Sequence, residues 1–361
     1  MRTIVILVTL VGSILAVPAA RTETLTVVER RFHALDSLTY CPSSMSAIRL
    51  GGDSLMHASY LGVFVQPDSG QPWEKVIDCY SDDKEISYSD RCYSHRKLRQ
   101  LVRPEGLWRV PETNEIIAFD GYCDWLYSLH LGAGPDSYVK LWSDRVKDDQ
   151  FQTVNIQNNL ILCGLPRYLG DRALAIQSVH ESHYKRAFAC SELLAHRLDP
   201  VGIGTGNHFC YPAFNPHDST LWLAIYGYDF MYITDMAGHI LDSLPVDAPD
   251  YIVPPEIRSR IKSAAVSREW LKLWTSVRSL HYAAPGYFLL QYDIGLKEIE
   301  GIAFRQHSTL VWKANGEKVP LEISKRWVLA GVEPNGEIIF ACLETDGEQS
   351  GIAFYITRIQ P

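Results

Sequence analysis

Short runs in which apolar and polar residues alternate, each closed by Gly, Asn, Asp or Pro, recur along most of the chain. Alternation with a period of two places one face of a strand in a core and the other in solvent. The C-terminal third shows it best. Thr309 to Trp312 leads through Ala314-Asn315-Gly316 into Val319 to Ile323, and Asn-Gly accepts the positive φ that tight hairpins require. Trp327 to Val332 then runs through Pro334-Asn335-Gly336 into Ile338 to Leu343, and turns at Asp346-Gly347 and Ser350-Gly351 lead to Ile352 to Ile359. These strands read as one antiparallel meander. Earlier runs, Leu107 to Pro111, Glu115 to Phe119, Trp125 to Leu129, Leu160 to Cys163, Ala173 to Val179 and Leu221 to Ile233, carry the same texture. Strands recurring roughly every 8 to 12 residues, without interleaved amphipathic helices, predict an all-β sandwich, barrel or propeller.

One segment departs from this pattern. Pro254 and Pro255 precede Glu256, and Ile257, Ile261, Val266, Trp270, Leu273, Trp274 and Val277 recur at three and four residue spacing. The spacing predicts a helical insertion near residues 254–280, with Pro255 suited to a first helical turn. Its aromatics would cap one end of the β core.

The start of the chain predicts export. Arg2 precedes an apolar run from Ile4 to Ala16, broken only by Thr9, Gly12 and Ser13, and Val17-Pro18-Ala19-Ala20 offers small residues for cleavage. A signal peptide over 1–20 would leave a single domain over 21–361, periplasmic or extracellular, with no later apolar stretch able to span a membrane. A lipid anchor would need a Cys at the cleavage point, and the first is Cys41. About 340 residues exceed one ordinary sandwich. They suit six blades of about 40 to 50 residues, with seven as the other option.

Composition narrows the function classes. The 361 residues include 34 Lys plus Arg against 42 Asp plus Glu, a formal charge of -8, which disfavours a phosphate backbone as partner. Nucleic acid is therefore not expected. Eight cysteines in an exported chain predict disulfides, and the short spacings Cys79 to Cys92 and Cys190 to Cys210 suit local bridges. No Cys-x-x-Cys pair or Cys and His cluster has zinc spacing, so neither a metal nor another cofactor is expected.

The stretch Leu221 to Asp229, the turn around Gly238, His239 to Pro245, Tyr251 to Pro255, the Trp270 and Trp274 segment, and Gly286 to Tyr292 together resemble the TolB-like, six-bladed β-propeller proteins of bacterial envelopes. The resemblance implies a propeller, and it implies little about activity. A propeller ring commonly closes by pairing the chain termini, which hides strand edges. Thr24 to Val28, or the strand following Arg31, would then lie beside Ile352 to Ile359.

Several motifs invite a chemical reading. Gly52-Asp53-Ser54-Leu55 spells the nucleophile block of the GDSL esterases, but the downstream D-x-x-H is absent, Asp235 and His239 being one residue too far apart. A turn entering a strand is the simpler account. Gly202, Gly204 and Gly206 resemble a phosphate loop without the helix that should follow, and Asp144, Asp148 and Asp149 are interspersed with Lys140, Arg145 and Lys147 as on a solvated face. His180, Glu181 and His183 gather two imidazoles and a carboxylate, which would converge only across a turn. With Tyr228 and Asp229 they form the candidate ligand-binding set. The expected activity is binding of a protein, small molecule or glycan at the loop face, where Tyr and Trp supply contact area. The alternative is a hydrolase or lyase acting at the channel mouth.

Overall fold

The structure, a computed structural model, describes residues 23–35, 45–59, 62–78, 104–110, 115–120, 125–129, 138–140, 153–164, 174–179, 210–225, 228–252, 275–299 and 302–360. Within them the chain forms only strands, turns and connecting segments. β1 (Thr24–Ala34) is followed by β2 (Ser46–Gly51), β3 (Ser54–Ser59), β4 (Gly62–Gln66) and β5 (Glu74–Asp78), then by β6 (Pro104–Arg109), β7 (Ile116–Asp120), β8 (Trp125–Leu129) and β9 (Tyr138–Lys140). β10 (Thr153–Gln157), β11 (Leu160–Gly164) and β12 (Leu174–Ser178) precede β13 (Cys210–Asn215), β14 (Thr220–Ile225), β15 (Phe230–Thr234) and β16 (Ile240–Pro245). The chain ends with β17 (Ser276–Ala283), β18 (Tyr287–Ile299), β19 (Ile302–Lys313), β20 (Lys318–Val319), β21 (Val328–Val332), β22 (Ile338–Asp346) and β23 (Gln349–Gln360).

These strands pair antiparallel into separate sheets of sequential hairpins: β2 to β5, β6 to β9, β10 to β12, β13 to β16, β17 to β20, and β21-β22-β23-β1. Their first strands, β2, β6, β10, β13, β17 and β21, touch in that order, and β21 returns to β2. The result is an all-β propeller. Five of the sheets are complete four-stranded blades, against the expected six or seven, and the β10 to β12 sheet has three described strands.

The last sheet closes the ring. β1 pairs with β23 from Thr24 opposite Gln360 to Ala34 opposite Gly351, so the N-terminal strand covers the outer edge of the C-terminal hairpins. This is the terminal pairing that edge protection predicts. The C-terminal strands do not form one meander. β19 and β20 finish the β17 to β20 blade, and a new blade starts at β21. The turns are as expected, with Gly316 at φ 88° and Gly336 at φ 85°.

The helical insertion needs correction. Residues 253–274 lie outside the described residues, but 276–280 belong to strand β17, where Val277 pairs with Tyr292. Among the described residues there is no helix. Of the positions that carried the helical spacing, only Val277 is among the described residues, and it is buried in β17, whose pairing shifts register between Val277 and Ser279.

The blades pack face to face through apolar clusters. Trp222 of β14 stacks on Phe288 of β18 with centroids 3.9 Å apart, both fully buried. Near the axis the contacts become polar. Alternate β10 side chains address alternate β13 carbonyls: Thr153 Oγ1 donates to Cys210, Asn155 Nδ2 to Pro212 at 2.9 Å, and Gln157 Nε2 to Phe214 at 2.7 Å. Gln157 Oε1 also accepts from the Phe214 N–H. Gln291 does the same for β21, donating to Trp327 C=O and accepting from Leu329 N–H. Ser46 on β2 accepts from Leu107 N–H and donates to Ala330 C=O, linking three inner strands. Inner strands expose backbone edges to the axis, and these side chains satisfy groups that a neighbouring strand would otherwise pair. At the seam, a Cβ on Gly331 of β21 would stand 2.0 Å from Ala47 C=O of β2, so only glycine permits that approach.

The expected bridges find no support in what is described. Cys79, Cys92 and Cys190 lie outside the described residues, Cys210 is buried at the start of β13, and no disulfide is seen among the described residues. The signal segment 1–20 also lies outside them. Among the described residues no helix is long and apolar enough to cross a membrane.

Candidate functional site

The inner strands enclose a central cavity of about 560 Å³, lined by residues from β2, β6, β10, β13, β17 and β21. Three of its amides, Asn155, Gln157 and Gln291, are already held by inter-blade hydrogen bonds, so that part of the wall is rigid before any ligand arrives. Asn155 Nδ2 also reaches Leu280 C=O at 3.2 Å and ties a third blade to the same point. Charge enters at few positions. Arg278 Nη1 lies 3.7 Å from Asp293, whose other oxygen is 2.9 Å from His307 Nδ1. His281 lines the cavity, and burial pushes its pKa down to about 4, so it is neutral at pH 7. Ser279 Oγ is buried there without a hydrogen-bond partner.

A second cavity of about 440 Å³ adjoins the first and shares Arg109, Glu333 and Pro334 with it. It lies where the β2–β3 turn, the end of β6 and the β21–β22 turn meet. Gly51 and Gly52 make the first turn with φ of 126° and 53°, conformations a side chain resists. In the other turn, Glu333 N–H donates to Glu337 C=O and Gly336 N–H to Glu333 C=O, which sets both acidic side chains beside β2.

Glu333 is only 5% exposed, and its Oε1 accepts from the Arg49 backbone N–H at 2.6 Å. Burial raises its pKa to about 7, with Glu337 adding to the rise, while the backbone hydrogen bond and the charges of Arg109 and Arg49 oppose it. Arg49 Nε donates to Glu337 at 3.3 Å and its Nη2 to Glu29, which also accepts from Arg31, while Arg358 holds the other oxygen of Glu337 at 2.9 Å. The third guanidinium nitrogen, Arg49 Nη1, is buried with no hydrogen-bond partner. The mouth of the channel therefore joins a carboxyl that changes charge near neutrality to two guanidiniums.

Of the motif residues singled out in the sequence, Gly52 and Asp53 line the second cavity. His180, Glu181 and His183 lie outside the described residues, as do Gly202 to Gly206 and Asp144 to Asp149. Tyr228 and Asp229 form the β14–β15 turn, where the Tyr228 carbonyl accepts from Tyr251 OH and the Asp229 carbonyl from Val246 N–H, each at 2.7 Å. Neither lines the two cavities. Ser54 enters β3 from the Gly51 to Asp53 turn and donates to Pro67 C=O at 2.6 Å. Asp235 and His239 meet at 2.8 Å across the exposed β15–β16 turn, in a different blade. The esterase reading has no triad. Among the described residues no three His, Cys, Asp or Glu side chains group to hold a metal ion.

Arg49, Arg109 and Glu333 were not evident in the sequence. The available signal was a charged residue at an apolar strand's end, next to a turn, which many solvated positions share.

Comparison with known proteins supports the architecture. A member of the DUF4221 family from Bacteroides vulgatus superposes with a TM-score of 0.59 at 12% identity, over 94% of this chain and 99% of that one. The chain is a β-propeller in fold. A protein of unknown function from Bacteroides thetaiotaomicron gives 0.47 at 8% identity, over 93% and 76% of the two chains. A gluconolactonase from Xanthomonas campestris gives 0.45 at 9%, over 95% and 99%. A scan against protein-family models and a search of curated proteins gave no match.

Proposed function

We propose that this chain is an exported, single-domain, six-bladed β-propeller over residues 21–361 that binds a small polar ligand in its central channel. The observation that carries the reading is the cavity of about 560 Å³ walled by six inner strands. Its size falls in the range of small-molecule sites, and its wall is rich in polar side chains, several of them fixed by inter-blade hydrogen bonds, that can supply orientation. The closed contact order of the inner strands supports six blades. Export rests on the apolar run and small-residue cleavage pattern at the start of the chain.

The test is a thermal-shift and calorimetric screen of the mature chain against polar metabolites and short glycans, repeated with Ser276→Trp. Ser276 lines the cavity, and an indole there fills the space a ligand would use. Binding that disappears in a folded Ser276→Trp protein supports the reading. Binding that survives the plug, or a screen without binders, overturns it.

A second reading, a hydrolase or lyase at the channel mouth, draws on one specific observation. Glu333, with a pKa raised to about 7, suits proton transfer near neutral pH. Turnover of any bound compound, lost through kcat in Glu333→Gln, would favour it.

A further inference from the structure

We propose that the cavity at the channel mouth is an oxyanion site, in which Arg49 and Arg109 hold the carboxylate or phosphate group of the ligand and the protonated Glu333 donates a hydrogen bond to it. This rests on the channel being a ligand site, and adds which chemical group is seated at its end. Three observations on different elements converge. Arg49 Nη1, on β2, is a buried donor without a partner, although the other two nitrogens of that guanidinium are satisfied by Glu337 and Glu29. A buried donor left unmade is costly, and a shift of the Arg49 guanidinium, which lines the cavity, would let an oxyanion there satisfy Nη1 with a charge-assisted bond. Arg109, on β6, reaches the same space, its Nη1 standing 3.9 Å from the position of a Cβ on Gly51. Glu333, between them on the β21–β22 turn, can offer an O–H in place of a competing negative charge.

The charges around Glu333 make the coupling specific. Arg49 faces it from β2, Arg109 from β6 and Glu337 from the same β21–β22 turn, with Asp53 at the exposed rim. Glu337 and Glu29 are engaged by Arg49, Arg358 and Arg31, so they do not replace the missing partner of Nη1. With Glu333 ionised, an incoming anion meets a buried negative charge. With Glu333 protonated, the same anion meets two cations and a hydrogen-bond donor. Binding should therefore take up a proton and strengthen on acidification.

Calorimetry of the mature chain would use sulfate as a phosphate mimic that does not titrate in this range, propionate as a carboxylate, and propionamide as the neutral control. Oxyanion affinity should rise up to about tenfold from roughly pH 8 to pH 6, as the protonated fraction of Glu333 rises from about one tenth to nine tenths. Buffers of different ionisation heat should report proton uptake. Glu333→Gln, neutral and nearly isosteric, should bind at all these pH values with a flat profile, and Arg109→Gln should bind weakly. Sulfate binding more tightly points to a phosphate source, and propionate to a carboxylate source. If Arg109→Gln fails to fold, the Glu333→Gln profile decides. Equal affinity at both pH values, the same slope in Glu333→Gln, or propionamide bound as tightly as propionate overturns the inference. Loss of channel binding in Ser276→Trp is a separate readout, so the wider reading can stand when this one falls.

Discussion

Acidification should loosen the ring at the seam between its last and first blades. There His33 of β1 and His57 of β3 place Nδ1 and Nε2 2.8 Å apart, packed by Phe64, Trp73 and Phe354. His33 is 9% exposed and His57 fully buried. Burial pushes the His33 pKa down to about 4 from 6.5, and pushes His57 well below its ordinary value, with the His33 charge adding to the shift. Between about 4 and 6.5 the unfolded chain holds the proton and the folded chain does not, so this stability is present above 6.5 and lost as pH falls. From roughly pH 7.5 to pH 5, His33 alone should lose about 2 kcal/mol, and His281, depressed to about 4 by burial, a similar amount. His57 acts in the same direction. Glu333 opposes them, because its folded pKa of about 7 lies above its ordinary 4.5, and acidification over the same range returns about 2 kcal/mol.

The isolating experiment is urea denaturation of the wild type and His33→Gln at several pH values. The substitution changes packing by an amount that does not depend on pH, so the informative quantity is the difference in slope. The wild type should lose about 2 kcal/mol more than the variant over this range, a relative shift of about 0.5 M in urea midpoint for a chain of this size. Parallel pH profiles would show that His33 is not held neutral by burial and would refute the reasoning.

Three further outcomes follow from the same geometry. Gly331→Ala should cost about 3 kcal/mol or more, read by thermal melting, because the new Cβ would meet Ala47 C=O at 2.0 Å across the ring seam. Deleting the last ten residues removes most of β23 and strips the partners of both β1 and β22, so soluble expression should be lost; a well-folded truncated monomer would contradict the closure. Glu333→Gln should stabilise the chain by up to about 3 kcal/mol near pH 8, where the native carboxyl is ionised at a cost, and the gain should vanish below about pH 4.5; denaturant midpoints at both pH values check it.

Local chemistry determined much of this protein. The Asn315-Gly316 and Asn335-Gly336 turns, the alternating strands around them and the matching apolar strands at both termini are properties of a few neighbouring residues, and they already imply a propeller closed by its ends. Where the local signal was ambiguous, the reading failed. Val277 continues an apolar spacing of three and four residues, and only its pairing with Tyr292 shows that it belongs to strand β17. The division of the C-terminal strands between two blades was likewise invisible, since a hairpin and a step to the next blade both appear as a short polar connection. The site is the extreme case. Arg49 and Glu333 lie 284 residues apart, and neither has a motif around it. Ring closure brings β2 against β21, and burial there raises the Glu333 pKa and leaves Arg49 Nη1 without a partner. Sequence sets strands and turns because their energetics are local, whereas desolvation and convergence of charge exist only once distant strands share one space.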